Sequence, residues 1–97
     1  MIRHIVLFSW TDEATPEQKQ RVAAELRGLR PLMTGVRSYN VGADAGLVPG
    51  NADFAAVGDF EDAASYLAYR EHPAHRAVIE QTILPIVAAR HSIQYEL

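Results

Sequence analysis

The chain has 97 residues, twelve acidic against nine basic side chains, a net charge of −3 and 48% hydrophobic residues. That length suits one small domain, residues 1–97, and the apolar content suits a packed core rather than a disordered chain. The acidic balance argues against nucleic acid as a partner, the lack of cysteine excludes disulfide and thiolate chemistry, and no apolar run approaches the ~20 residues of a membrane span. The sequence runs directly into a strand-like pattern, so a cytoplasmic protein that makes no use of a membrane is the expectation.

Ile2 to Trp10 alternates as a strand, with Ile2, His4, Val6, Phe8 and Trp10 on one face and Ile5 and Leu7 on the other. Thr15-Pro16-Glu17-Gln18 is a helix start: Thr15 caps, Pro16 suits the first helical position, and Gln18 completes a capping box. Val22, Leu26 and Leu29 follow at helical spacing. Pro31 is expected to stop this helix, with Leu32 and Met33 packing over its end. Gly35 introduces a second strand, Val36 to Val41, and the Gly-, Asp- and Asn-rich stretch 42–53 reads as a loop. Phe54 to Phe60 is a third strand. Asp62 caps a short helix from Ala63 to Arg70, and a further helix runs from Pro73 to about Val87 with Val78, Ile79, Thr82, Ile83 and Ile86 on its buried stripe. Ser92 to Leu97 closes the chain as a fourth strand.

With the two later helices taken as one crossover, this order is the split βαβ plan: an α+β, ferredoxin-like protomer with a four-stranded antiparallel sheet. In that plan the helices cover one sheet face and leave the other bare. The bare face is expected to carry Ile5 and Leu7 from the first strand and His91, Ile93, Tyr95 and Leu97 from the last. An exposed apolar sheet face calls for a partner, most simply a second copy stacked about a two-fold axis as a homodimer.

Chemistry concentrates in Tyr69-Arg70-Glu71-His72-Pro73-Ala74-His75. Pro73 ends one helix and begins the next, which puts His75 in a first turn, where the positive end of the helix dipole favours a neutral imidazole. A neutral imidazole is a general base near pH 7. Tyr69 is placed to donate to a carbonyl, with Tyr66 one turn earlier as the alternative. His4 is expected to point into the same layer as His75. His72 is expected to cap the helix end and face solvent. A metal held by His72, His75 and His4 is disfavoured, because the helix break separates the first two rings and no inward carboxylate accompanies them.

Ile2-Arg3-His4-Ile5-Val6-Leu7-Phe8, Gly35-Val36-Arg37-Ser38, Val57-Gly58-Asp59-Phe60-Glu61-Asp62 and above all His72-Pro73-Ala74-His75 make the chain resemble the stress-responsive dimeric α/β-barrel (Dabb) family over essentially its whole length. The resemblance implies a ferredoxin-like protomer and a homodimer whose two sheets form a barrel. One well-understood relative is a plant polyketide cyclase, which closes a poly-β-keto thioester by aldol condensation with a histidine, a tyrosine and no cofactor. Those residues correspond to His75 and Tyr69, and that enzyme's first-strand histidine corresponds to His4. Its last-strand aspartate, near the catalytic histidine, corresponds to Gln94, which can orient an imidazole but cannot stabilise imidazolium as a carboxylate does.

Two functions follow. In the first, His75 is the base and Tyr69 the carbonyl donor in a cofactorless, cyclase- or lyase-type enzyme for a small hydrophobic or ketide-like ligand, in a pocket lined by His4, Val6, Phe8, Leu26, Val57, Val78 and Ile79. In the second, the protein is a non-catalytic, stress-associated homodimer that serves a structural or ligand-binding role. A closed space around His75 would favour the second.

Overall fold

The computed structural model describes residues 1–97. In chain order the elements are β1 (Ile2–Trp10), α1 (Pro16–Arg27), β2 (Val36–Ala43), β3 (Phe54–Phe60), α2 (Ala63–Glu71), α3 (Pro73–Val78) and β4 (Val87–Glu96). The strands form one antiparallel sheet in the order β2-β3-β1-β4, with the helices on one face. This is the ferredoxin-like plan expected from the element order.

Local signals set most boundaries. Thr15 Oγ1 accepts from the Gln18 backbone N–H at 3.2 Å, and Gln18 Oε1 accepts from the Thr15 N–H at 2.9 Å, so the capping box is closed in both directions. Asp62 caps α2 by accepting from the Ser65 N–H at 2.8 Å. Gly35 takes φ +75 at the entrance to β2, where a Cβ would lie 2.3 Å from Ser65 Oγ, so only glycine lets the two elements approach.

Three boundaries depart from expectation. Helix α1 ends at Gly28, ahead of Pro31, which sits instead in a 3-10 turn, Arg30–Leu32. Leu29 is buried there, Met33 packs against the core, and Leu32 is exposed rather than laid over the helix end. Strand β2 continues to Ala43, which shortens the following loop. Most consequentially, the helix from Pro73 does not reach Val87. Its α-helical part stops at Val78 and widens into a π-turn, Ile79–Ile83, closed by the Leu84 N–H donating to the Ile79 carbonyl at 2.9 Å. Pro85 cannot extend the helical ladder, and β4 starts at Val87, five residues ahead of the expected Ser92. The early start lets β4 pair with the whole of β1, from Ile2↔Glu96 to Trp10↔Val87.

The core lies between sheet and helices. Val6, Phe8, Trp10, Phe54, Ala56 and Phe60 rise from the strands to meet Val22, Leu26, Leu29, Tyr69, Val78, Ile83 and Ile86. Each large side chain buried this way contributes about 1.5–3 kcal/mol. Thr82 Oγ1 donates to Glu25 Oε1 at 2.6 Å and ties the π-turn to α1. On the opposite sheet face, Ile5 pairs with Val57 and Ile93, Leu7 with Ala55 and His91, and Arg3 with Asp59 and Tyr95. The apolar set of β4 therefore does face away from the helices, and Leu7, Ile93 and Tyr95 are exposed there. No helix is long and apolar enough to cross a membrane.

Candidate functional site

A cavity of about 340 Å³ opens between the helices and the inner sheet face. That is the small end of the range for ligand pockets. Strand β1 supplies His4, Val6 and Phe8 to its wall, α1 supplies Leu26, β2 Tyr39, β3 Ala56, α2 Tyr66 and Tyr69, and α3 with the π-turn His75, Ile79 and Ile83. The break at His72-Pro73 makes this possible. His72 turns out of helical conformation, its Nδ1 accepts from the Ala74 N–H at 3.0 Å, and α3 restarts at an angle that brings His75 back over Tyr69. The His72 side chain thus caps the start of α3 rather than the end of α2, and it is half-buried rather than turned to solvent.

His75 Nδ1 lies 3.1 Å from the Arg70 carbonyl. A carbonyl only accepts, so Nδ1 carries the proton and Nε2 keeps its lone pair, with no partner in the protein. Burial lowers the pKa of His75, and the positive charges of Arg90 and Arg70 act in the same direction, against an opposing hydrogen bond to the Arg70 carbonyl. The ring is neutral at pH 7. The cause differs from the one read in the sequence: desolvation leads, rather than the dipole of α3, which is only six residues long.

His4 carries the complementary tautomer. Gln94 Nε2 sits 2.8 Å from His4 Nδ1 and donates to it, which leaves the His4 proton on Nε2. Gln94 thus orients His4 and not His75, contrary to what the resemblance implied, because β4 register sets Gln94 opposite His4 on the adjacent strand. Burial lowers the pKa of His4 to about 4, helped by Arg90, His75 and Arg70. Its ring packs 4.9 Å from that of Tyr66. The three histidines are tied to three different partners, and no cluster of side chains suited to a metal forms around them.

Tyr69 is buried, its ring 4.4 Å from that of His75, and its hydroxyl lies 2.8 Å from the Tyr39 hydroxyl. One of these O–H groups donates to the other, and the second remains free to donate to a bound molecule. Burial raises both phenolic pKa values, so both stay protonated donors. Gly58 makes room for the pair. It stands between His4 and Tyr39 in the sheet, where a Cβ would lie 2.8 Å from the Phe60 ring and 3.1 Å from that of Tyr39.

The structure brings together His75, Tyr69, His4, Val6, Phe8, Leu26 and Ile79. Two expected lining residues are elsewhere. Val57 pairs with Ile5 on the uncovered sheet face, because strand parity points Ala56 and not Val57 inward. Val78 is buried in the core and forms no part of the cavity wall. Sequence reasoning also passed over Tyr39, although alternation along β2 with Val41 places it inward, and Arg90, which lay in the stretch between the expected helix end and strand start.

Fold and site together define a ferredoxin-like α+β domain with a histidine–tyrosine cavity under its helices. The chain belongs to the stress responsive A/B barrel domain family (Dabb), whose model matches residues 2–97. Among solved structures it is similar to a dimeric ferredoxin-like protein of unknown function from Thermobifida fusca, at 42% identity and TM-score 0.92, covering 99% of this chain and 90% of that one. A Dabb family protein from Mesorhizobium loti superposes at TM-score 0.81 with 23% identity, covering 99% of this chain and 95% of that one. A hydroxynitrile lyase from Passiflora edulis superposes at TM-score 0.85 with 17% identity, covering 99% and 92%, a likeness of fold. None of the curated proteins matches the chain.

Proposed function

We propose that the cavity is the active site of a cofactor-independent acid–base enzyme acting on a small, largely apolar carbonyl compound of ketide-like type. The observation that carries this reading is the free Nε2 of a neutral His75 in an open cavity, beside a tyrosine pair with one hydroxyl proton to spare. His75 Nε2 takes a proton from the carbon next to the substrate carbonyl. The enolate oxygen that develops accepts from the tyrosine pair. The enolate carbon then bonds to a second carbonyl carbon, whose oxygen recovers the proton from His75. This is an intramolecular aldol closure, and its reverse is a carbon–carbon lyase step. No step calls for a redox or electrophilic cofactor.

The working unit in this proposal is a homodimer formed through the uncovered sheet face, where Leu7, Ile93 and Tyr95 are exposed. Solved relatives described as dimeric support it. The stress-associated role belongs to the family description and enters here only as the setting in which such an enzyme would act.

A second reading keeps the cavity and drops the chemistry. His75 has a backbone carbonyl behind it rather than a carboxylate, a weaker support for a base. On that reading the dimer binds a ligand without turning it over. Poly-β-keto thioesters of graded length separate the two: cyclised product from the wild type and none from His75→Ala supports the enzyme, and tight binding with no product supports the binder.

A further inference from the structure

We propose that the ligand of this cavity carries a carboxylate and that Arg90 receives it, which makes Arg90 a specificity-determining residue. The inference rests on the reading of the cavity as a ligand site, and not on catalysis there.

Arg90 stands opposite Phe8 in the β1–β4 ladder, on the inner face of the sheet, and is an exposed residue of the cavity lining. The ion pairs of the protein join Arg3 to Asp59, Arg21 to Glu25 and Arg37 to Glu61, and Arg90 takes part in none of them. It makes no side-chain hydrogen bond either, a state it shares with Arg70 and Arg76 of the same lining, whereas the five other arginines reach carboxylates or backbone carbonyls; of the three, Arg90 alone stands on the inner face of the sheet. A guanidinium presents five donors in a planar fork suited to a carboxylate. Here the fork belongs to the lining of a largely apolar cavity, and no group of the protein satisfies it. Arg90 is also near enough to His4, His75 and Tyr69 for its charge to act on all three. An anion seated on it would therefore hold the rest of the ligand against the imidazole and the tyrosine pair.

Charge at the mouth favours a monoanion. The charged lining residues are Arg70, Arg76 and Arg90 against Glu71 and Glu80, so three positive charges meet two negative ones and leave one in excess. A carboxylate balances that excess, and a phosphate dianion overshoots it. The substrate class that follows is an apolar acid with its carboxylate at the rim and its body along Phe8, Leu26 and Ile83.

The test uses calorimetric binding of octanoate, octanamide and octyl phosphate to the wild type and to Arg90→Gln. Arg90 is exposed, so the substitution is expected to leave the melting temperature unchanged. Octanoate is expected to bind at least tenfold more tightly than octanamide, and Arg90→Gln to abolish that preference. Equal affinities, a preference that survives Arg90→Gln, or no binding of octanoate overturns the proposal; tighter binding of octyl phosphate overturns the carboxylate assignment. The probes carry no ketone, so octanoate selectivity in a protein that catalyses nothing would leave the acid site standing and remove the enzymatic reading alone.

Discussion

The rings of Tyr69 and His75 lie 4.4 Å apart although a helix break separates the two residues. His72 and Pro73 create that relationship. A continuous helix would turn residue 75 well away from residue 69, since six positions at 100° per residue do not return to the same face. Ending α2 at Glu71 and restarting at Pro73 folds the chain back, and the Arg70 carbonyl then fixes the His75 tautomer.

Loss of the Tyr69 hydroxyl removes one half of the proposed oxyanion donor. Tyr69→Phe is expected to lower kcat by roughly 10²- to 10³-fold, the usual effect of removing one such donor. Tyr39→Phe leaves Tyr69 free to donate directly and is expected to cost less. Steady-state kinetics on the two single variants and the double variant check this; the double variant should be little worse than Tyr69→Phe alone, because the hydroxyls act as one unit.

Gly58→Ala tests whether the tyrosine pair depends on backbone space. The added methyl meets Phe60 and Tyr39 at less than ordinary contact distance, so both rings must shift, and the Tyr39–Tyr69 hydroxyl contact is disturbed. A stability loss of about 1–3 kcal/mol is expected from overpacking. Chemical denaturation measures that loss, and kinetics should show a defect resembling that of Tyr39→Phe.

Acid should destabilise the fold through its buried imidazoles. The pKa of His4 is lowered from 6.5 to about 4 in the folded state, and that of His75 is lowered as well. The unfolded chain binds more protons between those values, so stability rises with pH there. The contribution is fully present above about 6.5 and is lost as pH falls towards 4. Melting temperature followed across that range should show the decline, and His4→Asn, which retains an acceptor for Gln94, should flatten it.

Much of this architecture is legible in the residues, for identifiable reasons. Strand β1 alternates cleanly enough to place His4, Val6 and Phe8 inward, and the Thr15 capping box leaves the start of α1 in no doubt. The errors come from size outweighing parity and from a helix read too long. Val57 looks a better wall residue than Ala56, but the pleat decides direction, and the small inward side chain of Ala56 forms part of the cavity wall. The π-turn over Ile79–Ile83 has no period a sequence pattern can report. Missing it hid the early start of β4, and with it the inward position of Arg90.

The uncovered sheet face predicts its own disruption. Ile93 is 57% exposed on that face, on the edge strand β4, and Ile93→Glu would bury a carboxylate in the proposed dimer at a cost of several kcal/mol. Sedimentation should find the wild type as a dimer at micromolar concentration and Ile93→Glu as a folded monomer.

Proton abstraction by His75 is the centre of this account, and exchange at carbon reports on it without requiring the natural substrate. Incubation of a medium-chain β-keto thioester in D₂O, followed by NMR, should show enzyme-dependent deuterium entry next to the carbonyl, reduced at least a hundredfold in His75→Ala. Exchange that proceeds at the same rate in the wild type and in His75→Ala would contradict it.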